Sequence, residues 1–207
     1  MIIQTNKPLA ARRENDHYPT PLVVCRAALN TLPRAFTPSR ILDPGAGTGV
    51  WGMAACEKWP GADRDGVEIR ADAPAPRGAY TTWYSSRDLL AGALHPDYCD
   101  LQDGYDLVIG NPPYSYAQAF VERSIGLVRD GGRVVFLLRL AFLESTHRHN
   151  TLFGIYPPKR VSVLVQRPSF MPAGDAKENK TDATAYAIFD WQRGYKGSTE
   201  LHWLSWR

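Results

Sequence analysis

Asn111-Pro112-Pro113-Tyr114 sets a side-chain amide, two proline carbonyls and an aromatic face on four consecutive residues, directly after the apolar run Tyr105-Asp-Leu-Val-Ile-Gly110. Proline has no backbone N–H and a fixed φ, so this stretch is rich in acceptors and rigid. At the end of a buried strand it suits a planar amino group that must be held, stacked upon and made nucleophilic. A bare Pro-Pro pair is more simply a strand-terminating turn. The Asn and Tyr that flank it, and the strand before it, favour chemistry.

A second constellation is Asp43-Pro44-Gly45-Ala46-Gly47-Thr48-Gly49, which follows the short apolar stretch Ile41-Leu42 and precedes a helical pattern from Val50. A strand, a glycine-rich turn and a helix in that order bring backbone close to a ligand, with Gly45, Gly47 and Gly49 making the turn. Glu68 lies 19 residues beyond Gly49, at the end of the next strand-like run. That is close to the spacing of about 20 residues at which a carboxylate meets ribose hydroxyls in dinucleotide folds. A glycine turn with no ligand is the competing reading; the Asp-Pro prefix and the spaced Glu68 favour a cofactor.

Together these stretches resemble the S-adenosylmethionine-dependent amino-methyltransferases of class I fold, in particular the N6-adenine DNA methyltransferases. The family pattern Asp-Pro-x-x-Gly-x-Gly is matched by Asp43 to Gly49, and Asn/Asp-Pro-Pro-Tyr/Phe by Asn111 to Tyr114. Tyr18-Pro-Thr-Pro21 and Arg167-Pro-Ser-Phe170 are similar to stretches in the short adenine methyltransferases of bacteriophages, so the resemblance runs from about residue 17 to 191.

The resemblance implies S-adenosylmethionine as cofactor. Pro44, Gly45, Gly47 and Gly49 would border its methionine and ribose portions, Asp43 its amino group and Glu68 its ribose hydroxyls. Asp88 and Leu89 would hold its adenine, and Thr20 would touch the methionine end. Asn111 and Pro112 would accept the N–H groups of the target amine beside Pro113, and Tyr114 would stack on the base. DNA is the implied partner. Its adenine must be flipped out or single-stranded, with Phe170 on the opposite face and Arg148, Lys159 and Arg160 on phosphates. Three of these residues have competing structural roles: Thr20 and Asp88 as helix N-caps, and Phe170 as a loop aromatic tucked against the core. His147 and His149 have no further ligands nearby in sequence, and no metal is expected.

The same pattern occurs in enzymes that methylate glutamine in release factors and in some RNA methyltransferases. Cytosine N4 is a further acceptor of the same kind, a conjugated NH₂, so the motif does not separate these substrates. Fewer than 40 residues precede the first core strand, short for the helical domain of the glutamine enzymes. A non-catalytic DNA-binding relative is the alternative of another class. No segment is long enough for the target-recognition domain of larger DNA enzymes, which leaves the target sequence open.

With 207 residues and 44% hydrophobic content, the chain has enough length for one domain with a sizeable core. Its net charge of +3 permits nucleic acid without demanding it, and residues 139–207 carry ten Lys/Arg against six Asp/Glu. Three dispersed cysteines give neither a disulfide scaffold nor a zinc site. Together with no run long enough for a signal or a membrane span, they fit a bacterial cytosol, with the phage-type resemblance pointing to a phage-encoded protein.

The elements that must position these residues alternate. A helix over 18–29 is followed by strand 40–43, helix 50–58, strands 65–69, 80–84 and 105–110, helix 117–129 and strand 133–138. Apolar runs near 161–165 and 184–191 suit a terminal pair of strands. This order predicts a doubly wound α/β domain with a mostly parallel sheet of Rossmann type, and the resemblance implies that the last two strands form an antiparallel hairpin completing a seven-stranded sheet. Residues 1–16 are expected to be flexible, and 167–182, rich in Pro, Gly, Lys and Asp, to form a mobile loop. The C-terminal stretch from His202 to Trp206 is expected to pack on the sheet rather than to stack on bases.

Overall fold

A computed structural model of the chain describes residues 19–91, 101, 104–170 and 184–207. The expected flexible start, and residues 171–182 of the expected loop over 167–182, lie outside the described residues.

Eight strands form one sheet: β1 (Arg40–Asp43), β2 (Asp63–Glu68), β3 (Thr82–Ser85), β4 (Tyr105–Gly110), β5 (Val128–Arg139), β6 (Arg160–Leu164), β7 (Tyr186–Gln192) and β8 (Glu200–Leu204). Their spatial order is β3-β2-β1-β4-β5-β7-β6-β8. The first five are parallel, β7 is antiparallel to both β5 and β6, and β8 is parallel to β6. The doubly wound architecture and the antiparallel C-terminal part are as expected, but the sheet has one more strand. β8 escapes a pattern search because it is an edge strand whose side chains are almost all exposed, Leu201 and Trp203 included.

β4 reads as a continuous apolar run because the sheet covers it on both sides; all six of its residues are buried. Leu107 and Ile109 face one core with α1 (Leu22–Asn30) and α2 (Val50–Lys58), whereas Val108 faces the other with α3 (Ala117–Leu127). β5 alternates in the same way, Val135 and Leu137 toward the first core, Val134, Phe136 and Leu138 toward the second.

The chain leaves β1 in one direction, through α2 to β2 and β3, then returns to the other side of β1 as β4. This reversal opens a crevice at the C-terminal ends of β1 and β4, the place where open α/β sheets bind ligands. Both sequence constellations end there.

One polar pair holds the junction between the parallel and antiparallel parts. Arg133 on β5 donates through Nε to Asp190 Oδ1 at 3.0 Å and through Nη2 to Oδ2, and both side chains are at most 5% exposed. Burial pushes the Asp190 carboxyl up from its ordinary range while Arg133, helped by Arg160 and Lys159, pulls it down. Asp190→Ala would strand a buried guanidinium, and a loss of about 3–5 kcal/mol in unfolding free energy is expected by urea denaturation. Replacing both residues by leucine should recover most of that loss; a double variant no better than the single one would contradict this account.

Candidate active site

Asp43 closes β1 and is 1% exposed. Its Oδ2 accepts the Tyr80 hydroxyl at 2.7 Å, and Oδ1 is buried with no hydrogen-bond donor among the described residues. Burial lifts the Asp43 carboxyl to about 7, against the lowering effect of the Tyr80 hydroxyl and the Gly45 N–H, and Glu68 adds to the rise.

The turn after Asp43 is built by its glycines. Gly47 and Gly49 have positive φ, and a side chain on Gly49 would meet Pro76 at 2.5 Å. At Gly45 an added Cβ would meet nothing of the protein closer than Phe120, at 3.7 Å. That is an ordinary van der Waals distance.

Tyr80 reaches Asp43 by lying against the first turn of α2, where a Cβ on Gly52 would sit 2.4 Å from its ring. A glycine inside a helical pattern marks such a close approach; this was the available signal for Tyr80, whose run reads from sequence as the start of a strand. In the structure that strand begins two residues later, at Thr82.

Glu68, at the end of β2, is buried and already engaged. Its Oε2 accepts the Gly47 N–H at 2.8 Å, and its Oε1 accepts the backbone N–H and Nε of Arg70, each at 3.0 Å. The glycine turn and the acidic strand end are thereby locked together. Arg70, missed by sequence reasoning, covers the carboxylate with a 41% exposed side chain. Asp88 and Leu89 are buried just after β3. Asp88 Oδ1 accepts the Leu90 N–H at 3.0 Å within a turn, and no helix begins there among the described residues.

Thr20 is also buried, but it does not cap α1. Pro21 holds the N-cap position with extended backbone angles, the helix starts at Leu22, and no side chain caps it. The Thr20 hydroxyl is left without a hydrogen-bond partner among the described residues. Cys25, in the first turn of this helix, lies near Asp43: burial raises its thiol pKa and the Asp43 charge raises it further.

Asn111 follows β4 beside Asp43, since a Cβ on Gly110 would stand 3.1 Å from Asp43 Oδ1. The Pro113 carbonyl is spent on the Tyr116 N–H at 2.9 Å, in the short 3₁₀ turn Tyr114–Tyr116. Among the described residues no backbone N–H donates to the Pro112 carbonyl, and the Asn111 side chain lies by the Tyr114 hydroxyl. The Tyr114 ring packs on Tyr186 at 5.9 Å and carries the Arg139 guanidinium 4.7 Å from its centroid. Burial and Tyr186 push its hydroxyl pKa well up, which keeps it neutral.

Phe170 is 8% exposed and meets Tyr186 edge-on at 5.0 Å, so it reaches the aromatic block from behind rather than from solvent. The three expected phosphate contacts are not brought to this edge as free cations. Arg148 donates to the carbonyls of Ala141, Phe142 and Glu144. Lys159 and Arg160 lie at the start of β6, the opposite end of the sheet from Asn111. Lys159 donates to Gln192, and Arg160 to Thr31 O and Glu200.

A parallel sheet with a glycine turn after β1, an acidic end to β2 and an amide-Pro-Pro-aromatic end to β4 defines a class I S-adenosylmethionine-dependent methyltransferase. The chain is 36% identical, over 79% of its own length and 73% of the relative's, to the tRNA1(Val) (adenine(37)-N6)-methyltransferase of Pedobacter heparinus, and it belongs to that methyltransferase family. A candidate class I S-adenosylmethionine-dependent methyltransferase of Listeria monocytogenes has a similar fold (TM-score 0.63, 16% identity, 93% of this chain and 67% of the other). TrmN of Thermus thermophilus does too (TM-score 0.56, 17% identity, 83% and 48%). No protein-family model matches the sequence. S-adenosylmethionine is the cofactor, and the buried, unpartnered oxygens of Thr20 and Asp43 suit its polar methionine end.

Asp43 is proposed to receive the cofactor's ammonium group, for which the ionised carboxylate is the competent form. Because its pKa in the free protein is about 7, affinity for S-adenosylmethionine should weaken by about tenfold per pH unit below that point and level off above it. Tyr80→Phe removes a donor to the carboxylate and should move the midpoint upward. Calorimetric titration across the pH range measures both effects, and an affinity flat through neutrality would remove Asp43 from this role.

Proposed function

We propose that this protein transfers a methyl group to the exocyclic N6 amine of an unpaired adenine in nucleic acid. The observation that carries this reading is the abutment of the two strand ends: Asn111-Pro-Pro-Tyr114 begins one residue after Gly110, whose Cβ position is 3.1 Å from the Asp43 carboxylate. Bound S-adenosylmethionine supplies an electrophilic methyl on a sulfonium.

An adenine N6 is a weak nucleophile because its lone pair is delocalised into the ring. The Asn111 amide oxygen and the Pro112 carbonyl each accept one of its N–H bonds, drawing the nitrogen toward tetrahedral geometry and stabilising the charge that develops on it. No strong base is needed, since the surplus proton leaves to water after transfer. Tyr114, fixed against Tyr186 and neutral, offers its ring to the base. Alignment of the amine with the methyl group supplies much of the remaining rate.

RNA is the favoured polymer, because the 36% identical relative is a tRNA adenine-N6 methyltransferase. DNA is the second reading. Tyr18-Pro-Thr-Pro21 and Arg167-Pro-Ser-Phe170 favour it through their likeness to phage adenine methyltransferases.

The test is methyl transfer from labelled cofactor to unmodified tRNA, single-stranded DNA and duplex DNA, with nucleoside analysis. N6-methyladenine in tRNA alone would support the first reading and in DNA alone the second. Asn111→Ala should lower kcat by about 10²–10³ while leaving cofactor affinity within a few-fold of wild type. Label on glutamine or on cytosine N4 would refute the adenine assignment.

A further inference from the structure

Arginines on this molecule differ chiefly in whether their N–H groups are already used. Arg148, Arg160 and Arg70 all donate to protein acceptors. Arg139 is different. It ends β5, on the same edge of the sheet as Asn111, and is exposed. Its guanidinium lies on the ring of Tyr114 at 4.7 Å, and among the described residues no acceptor or carboxylate takes its N–H groups. Its register partner on β7 is Tyr186, the residue that packs on Tyr114. A guanidinium held over an aromatic face by cation–π attraction still has its N–H donors to give, and their fork matches phosphate oxygens.

We propose that Arg139 receives the backbone phosphate adjoining the adenine presented to Asn111. This rests on the reading that the substrate is a nucleic acid. A base held by Tyr114 carries its phosphate within one nucleotide's length of that ring, where Arg139 already rides. Arg139, rather than the basic residues farther along the chain, is the electrostatic anchor beside the reacting amine.

Steady-state methylation of unmodified tRNA and of single-stranded DNA over a range of salt, with wild type, Arg139→Met and Arg139→Lys, tests the inference. Methionine retains apolar cover on the ring but no charge. It is expected to raise KM for the nucleic acid by about tenfold or more and to leave kcat and cofactor affinity unchanged. The slope of log affinity against log salt should fall by about one, and lysine should restore that slope. An unchanged salt slope, or a fall in kcat at constant KM, would overturn the inference and leave Arg139 as a support for Tyr114. If wild type methylates no nucleic acid at all, the underlying reading fails as well, and that arm alone distinguishes the two failures.

Discussion

The parallel register between β1 and β4 is the constraint on which the rest of the site depends. Ile41 pairs with Leu107 and Leu42 with Val108, so the two strands end side by side, and the Cβ position of Gly110 lies 3.1 Å from Asp43 Oδ1 at the mouth of the crevice. A slip of one residue would turn each strand's apolar set to the other face, and both faces here are packed cores. Close packing of side chains in the two cores therefore fixes the register, and the register fixes the separation between the glycine turn after β1 and the Asn-Pro-Pro-Tyr turn after β4. Neither turn makes this alignment by itself.

The crevice concentrates polar groups that the folded chain does not satisfy on its own. Asp43 is fully buried beside Glu68, and both burial and that neighbouring charge push its carboxyl pKa up. Thr20 contributes a hydroxyl without a partner among the described residues. Buried polar atoms cost free energy unless something bonds to them. A ligand carrying an ammonium group and hydroxyls relieves that cost, which makes binding and local stability two aspects of one interaction. Arg70 serves the same electrostatic purpose at Glu68 when nothing else does.

Much of this was legible in the sequence because it rests on local pattern. The apolar runs of β1 and β4, the glycine turn and the Asn-Pro-Pro-Tyr end are contiguous stretches, and their placement at strand ends follows from chain order. What escaped depends on tertiary placement. Lys159 and Arg160 are basic and lie in the C-terminal third, but only the strand directions, with β7 antiparallel to both β5 and β6, reveal that β6 starts at the opposite end of the sheet from Asn111. Thr20 reads as a cap until the extended backbone of Pro21 moves the helix start to Leu22. Tyr80 and Arg139 reach the site across 37 residues to Asp43 and from a neighbouring strand to Tyr114, and no spacing rule covers such contacts.

The antiparallel end of the sheet also does more than close the fold. Tyr186 opens β7, pairs in register with Arg139 and packs between Tyr114 and Phe170. Tyr114, the aromatic proposed to face a base, is thus held by a strand from outside the parallel half, which itself is pinned to β5 by the Arg133–Asp190 pair. Rigid support of this kind matters because stacking and in-line transfer both degrade with small displacements. The residues proposed to hold the cofactor lie on and after the parallel strands, whereas the aromatic proposed to stack on the base is braced by Tyr186 of the antiparallel strand β7.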